Sequence, residues 1–150
     1  MASILKVDEL QGITAAGDIT VTSEGGAATQ SLQQGLAKAW INFNGTGTIA
    51  TRDSLNNSSL TDGGTGNYTV GFSSSFSNSN YAPICSGVTE YNHSRGPTFQ
   101  IQVGIAGDGT VISKTTSQIT HYGGLGSTGS SNGQSYDHIE NYVAHLGDLA

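Results

Sequence analysis

The sequence predicts an all-β protein, an antiparallel β-sandwich or jelly-roll-like domain preceded by an N-terminal arm. Two alternating segments carry that expectation. Tyr68, Val70 and Phe72 share one face of a strand whose other face holds Thr69 and Gly71. Phe99, Ile101, Val103 and Ile105 alternate with Gln100, Gln102 and Gly104. Composition is the third observation. Leu, Ile, Val and Phe supply only about a fifth of the chain, close to the level below which chains stay unfolded. They are nevertheless grouped into short runs between stretches of Gly, Ser, Thr and Asn. A core this thin needs disulfides, metals or subunit association to support it. A lone Cys85 cannot form an internal bridge, which points to association.

Residues 1–37 read as the arm and 38–150 as the domain. In the arm, residues 4–8 form a strand candidate with Leu5 and Val7 on one face. Ile19 and Val21 alternate with Thr20 and Thr22 in a second. Residues 27–39 carry Leu32 and Leu36 four apart amid Ala, Gln and Lys, a weak helical pattern interrupted by Gly35. Such pieces bury little surface by themselves. The arm is therefore expected to order against a partner, with Ile4, Leu5, Val7 and Leu10 as its docking side chains.

The period changes to two at Trp40, the only tryptophan. Ile41 and Phe43 alternate with Asn42 and Asn44, Gly45 and Gly47 mark a turn, and residues 48–51 resume as a strand. Residues 56–66, rich in Asn, Ser and Gly, read as a loop. The strand holding Tyr68, Val70 and Phe72 follows, and then a serine-rich connection containing Phe76. Residues 81–88 make another strand, which Pro83 confines to an edge or a bulge. After residues 99–105, Asp108-Gly109 supplies a hairpin turn and Val111 starts the returning strand. Residues 123–133 are Gly- and Ser-rich, a surface loop or a linker. The C-terminal segment has two readings. Asp137 and Glu140 fit a capping box for a helix, and Tyr142, Ala144 and Leu146 alternate as a closing strand. The all-β context favours the strand.

Charged residues make up 11 % of the chain and the formal net charge is −6. Lys6, Lys38, Arg52, Arg95 and Lys114 are scattered, so no basic patch exists to neutralise phosphates and no nucleic-acid partner is expected. No apolar run approaches the ~18 residues of a membrane helix, and the first residues lack the pattern of a signal peptide. His93, His121, His138 and His145 have no Cys or carboxylate at metal-ligand spacing. Asp62 and Asp108 sit beside glycines, as turn residues do. Gly45-Thr46-Gly47 and Gly64-Thr65-Gly66 lack the lysine of a phosphate loop. The expectation is a protein without catalytic residues, metal or cofactor.

Several runs resemble a module of tailed-phage virion proteins. They are the eleven-residue run from Lys38 (Lys-Ala-Trp-Ile-Asn-Phe-Asn-Gly-Thr-Gly-Thr), Ser58-Ser59-Leu60-Thr61-Asp62, the run from Gly64 to Phe72 and Asn80-Tyr81-Ala82. The opening residues 3–11 and the closing Gly147-Asp148-Leu149-Ala150 are similar to the ends of such proteins. The resemblance is to the distal domain of tail fibres and head appendages, particularly in phages of marine cyanobacteria. It implies a non-enzymatic, trimeric β-structure on the virion, assembled in the host cytoplasm, that contacts capsid or tail proteins through its arm. The short arm leaves no room for a shaft, which shifts weight towards a short head fibre, a capsid decoration protein or a small tail component. Trp40, Phe43, Tyr68 and Phe72 are then expected in the core or the trimer interface. A glycan-binding adhesin is the alternative, with Tyr81, Tyr91, Tyr122 and Tyr136 stacking on host-surface sugars.

Overall fold

A computed structural model describes residues 5–13, 19–22, 26, 28–33, 35–88, 99–102, 114–125 and 134–150. All regular structure among them is β. The strands are β1 (Thr20–Thr22), β2 (Thr29–Ser31), β3 (Ala39–Asn44), β4 (Ala50–Leu55), β5 (Asn57–Asp62), β6 (Asn67–Phe72), β7 (Ala82–Val88), β8 (Phe99–Gln102), β9 (Gln118–Leu125), β10 (Gln134–Ser135) and β11 (Glu140–Leu146). The chain divides into two units, Met1–Leu36 and Ala37–Ala150.

The first unit holds one antiparallel hairpin. Thr20 faces Ser31, Val21 faces Gln30 and Thr22 faces Thr29, and the Leu32 amide donates to the Ile19 carbonyl at 2.7 Å. This corrects two expectations. Residues 29–31 are strand where a helix was expected, because two leucines and an interrupting Gly35 offer less than a ladder of backbone partners. Residues 5–10 are exposed and form no strand.

The second unit contains two antiparallel sheets. The first has the order β4-β3-β11-β7 and the second β10-β9-β6-β5, with β8 also paired to β9. Alternation decides which side chains turn inward. Ala39, Ile41 and Phe43 of β3 and Asn141, Val143 and His145 of β11 are buried, and so are Tyr68, Val70 and Phe72 of β6. Ile119 and His121 of β9 complete the set, with Phe76 and Tyr81 from the connection after β6. Inner faces of both sheets meet directly. The Phe43 and Tyr68 rings pack edge to face at 5.1 Å, and Phe72 packs on His145 at 5.1 Å. Aromatic contacts of this kind add about 0.5–1.5 kcal/mol beyond the area they bury.

Residues 57–62, expected as loop, form β5 against β6. Asn and Ser favour turns when the backbone lacks a partner, but β6 supplies a ladder along β5 that is interrupted only at Ser58. The turn shrinks to residues 63–66, where Gly64 and Gly66 have positive φ. The closing segment is a strand, in the centre of its sheet between β3 and β7. Pro83 lies on β7, at the edge of the first sheet. Residues 103–113, including the expected Asp108-Gly109 turn, and residues 126–133 of the expected Gly-rich loop lie outside the described residues. Residues 123–125 belong instead to β9. Residues 118–122, where Ile119 and His121 replace an alternating run of aliphatics, form the start of the same strand.

One residue carries the chain from one sheet to the other. β4 ends the first sheet, β5 ends the second, and only Asn56 stands between them, with φ of 58°. Its Nδ2 donates to the Lys38 carbonyl at 3.2 Å and the Ser74 carbonyl at 3.0 Å, while Oδ1 accepts from the Ser74 amide at 2.6 Å. Asn tolerates the left-handed region better than other residues with a Cβ. Asn56→Ala should lose about 3 kcal/mol in urea unfolding, combining lost hydrogen bonds with the left-handed backbone. Asn56→Gly, which relieves the backbone alone, should lose about 1 kcal/mol less.

Candidate functional site

The outer face of the first sheet is where the domain leaves large apolar groups uncovered. Register places Leu55 opposite Trp40, Trp40 opposite Ala144 and Ala144 opposite Ile84. Directly opposed residues share a face, so one apolar row crosses all four strands. Its ends are open, with Leu55 48 % and Ile84 57 % exposed, and Trp40 is half-buried. Exposed Val88 and Tyr142 extend the patch on β7 and β11. The next row is polar, with Asp53, Asn42, Tyr142 and Ser86 in register. At one border Arg52 pairs with Glu140 at 2.9 Å and donates to the Ile139 carbonyl at 2.8 Å. The Tyr142 hydroxyl also donates to Glu140.

Trp40 therefore stands apart from the three aromatics grouped with it on sequence. Phe43, Tyr68 and Phe72 belong to the core. Period two had already set Ile41 and Phe43 on one face, and the same rule turns Trp40 to the other. Tyr142, Ala144 and Leu146 do share a face of β11, and it is this outer one, since Asn141, Val143 and His145 are the buried set. Of the arm residues, Leu5, Val7 and Leu10 are exposed, and Ile4 lies outside the described residues.

The glycan-contact tyrosines are dispersed. Tyr81 is buried, stacked on Phe76 at 4.2 Å, with its hydroxyl 3.0 Å from the Thr115 carbonyl oxygen. Burial pushes that phenol up to about 12. Packing consumes the ring, which corrects its assignment as a sugar contact. Tyr91 lies outside the described residues. Tyr122 and Tyr136 are half-buried near one end of the second sheet. Tyr122 is opposite Asn67, and the Tyr136 amide donates to the Gly123 carbonyl at 3.0 Å.

That same end is tied together by a polar cluster that sequence reasoning missed. The Tyr68 hydroxyl lies 2.6 Å from Asp137 Oδ1 and 2.9 Å from the Gly45 carbonyl oxygen. Asp137 Oδ1 also accepts from the Gly66 amide at 2.7 Å. Burial, then the neighbouring Asp137 carboxylate, raises the Tyr68 phenol far above its ordinary range, so it remains a donor. Gly45 is required here, because a Cβ would sit 2.4 Å from the Tyr68 hydroxyl oxygen. The arrangement fastens two turns to the segment before β11. It places no nucleophile beside a base.

The three described histidines are core residues, and His93 lies outside the described residues. His121, His138 and His145 are buried, and the His121 and His145 rings stack at 5.5 Å across the two sheets. Neither of that pair has a hydrogen-bond partner on its ring nitrogens. Among the described residues no three metal-ligating side chains come together. Burial likewise pushes the Cys85 thiol up to about 11, which keeps it protonated and unreactive at neutral pH. No protein-family model, curated protein or solved structure matches the chain.

Burial, and then the proximity of His145, pushes His121 down to about 3. Burial, and then the nearby Lys114 ammonium, pushes His145 down to about 4. Both folded values lie below the unfolded value near 6.5, so protons bind the unfolded chain more readily. The stability that depends on neutral rings is complete above about pH 6.5 and is lost as pH falls towards about 4. The urea midpoint should therefore drop between pH 7.5 and pH 5, with a shallower drop in His145→Phe.

Proposed function

We propose that this chain is a short, non-enzymatic structural protein of a tailed-phage virion. In this reading a β-sandwich, formed by the two sheets of the second unit, associates into a homotrimer and is attached by the N-terminal arm. The observation that carries the reading is the apolar row of Leu55, Trp40, Ala144 and Ile84 across the outer face of the first sheet. Scattered apolar residues on a surface are ordinary, but a contiguous row ending in two open aliphatic side chains is an interaction surface. The row itself is uncharged, so it selects for shape and apolarity. A second copy of the same sheet offers both, and the Arg52–Glu140 pair at the border gives matched charges for a polar rim.

Two further features agree with the reading. The core is built from few aliphatic residues, as expected of a subunit whose stability is completed by association. Leu5, Val7 and Leu10 are exposed and give the arm an apolar surface for a capsid or tail component. The resemblance of the segments around Trp40 and Tyr68 to phage appendage domains adds the biological setting, with exposure on the particle surface and contact with the host as the wider role. A capsid decoration protein is the neighbouring role, separated from a fibre by the oligomeric state of the free chain.

Light scattering after size exclusion should give three times the chain mass. A folded monomer would overturn the trimer. Ile84→Asp, which places a charge in the row, should dissociate the assembly while leaving the far-ultraviolet circular dichroism of a β-protein. Deleting residues 1–34 should leave a folded trimer that no longer binds virions, and retained virion binding would refute the arm assignment.

A further inference from the structure

We infer that the open edge between β4 and β5 is a binding site for a neutral hexose unit, independent of the tyrosines and of the apolar row. A pocket of about 290 Å³ lies there, lined by Ile41, Ile49, Thr51, Ser54, Asn57 and Leu60 together with Ser58 and Ser59. This is close to the lower limit of ligand pockets, about 300 Å³, which suits one sugar ring better than a peptide.

The residue types are wrong for a closed core. Thr51 is opposite Phe43 and Ser54 opposite Ile41, so both stand on the inner face of the first sheet, where they stay exposed at its open edge. Asn57 is opposite Phe72, a core residue. Three inward positions on the two edge strands thus carry hydroxyls or an amide where an aliphatic side chain would seal the gap. Asn57 is the sharpest case. Its Nδ2 and Oδ1 are both buried and neither has a hydrogen-bond partner. An unsatisfied buried polar group costs about 1–3 kcal/mol, and Asn57 carries a donor and an acceptor in that condition.

Both strands are irregular at this place. The β3–β4 register shifts between Asn42 and Phe43, leaving Arg52 without an opposite residue, and the β5–β6 register shifts between Asn57 and Ser59. Bulges re-aim side chains and concentrate beside binding sites. The first bulge also sends Arg52 away to Glu140 and the Ile139 carbonyl. Among the described residues no charged side chain lines the pocket, so they offer an ionic ligand no counter-charge.

Chemistry then narrows the occupant. The Asn57 amide carries two N–H donors and an acceptor oxygen side by side, a pairing that adjacent sugar hydroxyls satisfy. Thr51 and Ser54 supply hydroxyls that both donate and accept. Ile41, Ile49 and Leu60 supply a surface for the C–H face of the ring. The ring can come from the end of a surface glycan or from free sugar.

The test is saturation-transfer NMR on the full chain with glucose, galactose and mannose, their methyl glycosides, oligosaccharides ending in each, and sialic acid as a charged control. At least one neutral hexose should receive saturation from the protein, and sialic acid should not. Signal from glycosides and oligosaccharides would identify a chain end as the source, whereas signal from the free sugar alone would identify the monosaccharide. Asn57→Leu should weaken binding at least tenfold and leave the urea midpoint unchanged or higher, since it removes the unsatisfied amide. If that variant does not fold, Ser54→Val and Thr51→Val should each weaken binding. Absence of saturation transfer from every neutral sugar, or binding unchanged in a folded variant of these positions, would overturn the site. Virion binding by the arm and the mass of the free chain do not enter this readout, so the two proposals fail separately.

Discussion

The domain depends on the side-chain amide of Asn56. With a single residue between two strands of different sheets, the chain has no length in which to turn gradually. Asn56 takes the left-handed conformation, and its amide grips the backbone just before β3 and just after β6. The opposite ends of those two strands are gripped by another polar group, the Tyr68 hydroxyl with Asp137, which joins the turn after β3 to the turn before β6. β3 and β6 are thus held face to face by one polar contact at each end. Between the two, Phe43 and Tyr68 pack ring on ring. The separation of the sheets is set at both ends by hydrogen bonds and in the middle by aromatic contacts.

Buried imidazoles belong to the same economy of apolar residues. His121 and His145 occupy positions where a larger sandwich would carry Phe or Leu, and they stack across the sheets as neutral rings. Phe72, Phe76 and Tyr81 surround His145, so its ring acts as one more aromatic in a cluster. Neutrality is the condition for this role, since a buried imidazolium would need a counter-charge. The sole tryptophan, meanwhile, is spent on the outside. That division, with imidazole in the core and indole on the surface, separates what the monomer needs from what its outer face offers.

Much of the second unit was legible from alternation alone. Ile41 and Phe43, and Tyr68, Val70 and Phe72, have the period of strands buried on one face, and they are the central inward residues of β3 and β6. β5 was not legible, because Asn-Ser-Ser-Leu-Thr-Asp has the composition of a loop and owes its strand to the ladder with β6. β9 hid for a related reason, its inward side chains being Ile119 and His121 rather than a run of aliphatics. The hairpin of the first unit carried no periodic signal beyond Ile19 and Val21. The Tyr68–Asp137 cluster and the unsatisfied Asn57 amide depend on residues distant in sequence, and single-chain patterns do not encode such pairs. Trp40 was conspicuous by size, but only its place in the period showed that it faces outward.

The order of the strands bears on how the protein is made. β11 is the last strand along the chain yet lies in the interior of its sheet, flanked by β3 and β7. During synthesis those two strands emerge long before the one that joins them, and each waits with a row of unpaired amides and carbonyls. Waiting edges invite pairing with neighbouring nascent chains. The polar composition of the early strands answers that hazard. β4 and β5 are almost devoid of large aliphatics, and β3 places Asn42 and Asn44 between its apolar residues. Closure of the first sheet is a late, long-range event, which makes this a slow-folding topology. A ribosome that stalls before residue 140 releases a chain with its most aggregation-prone edges still open.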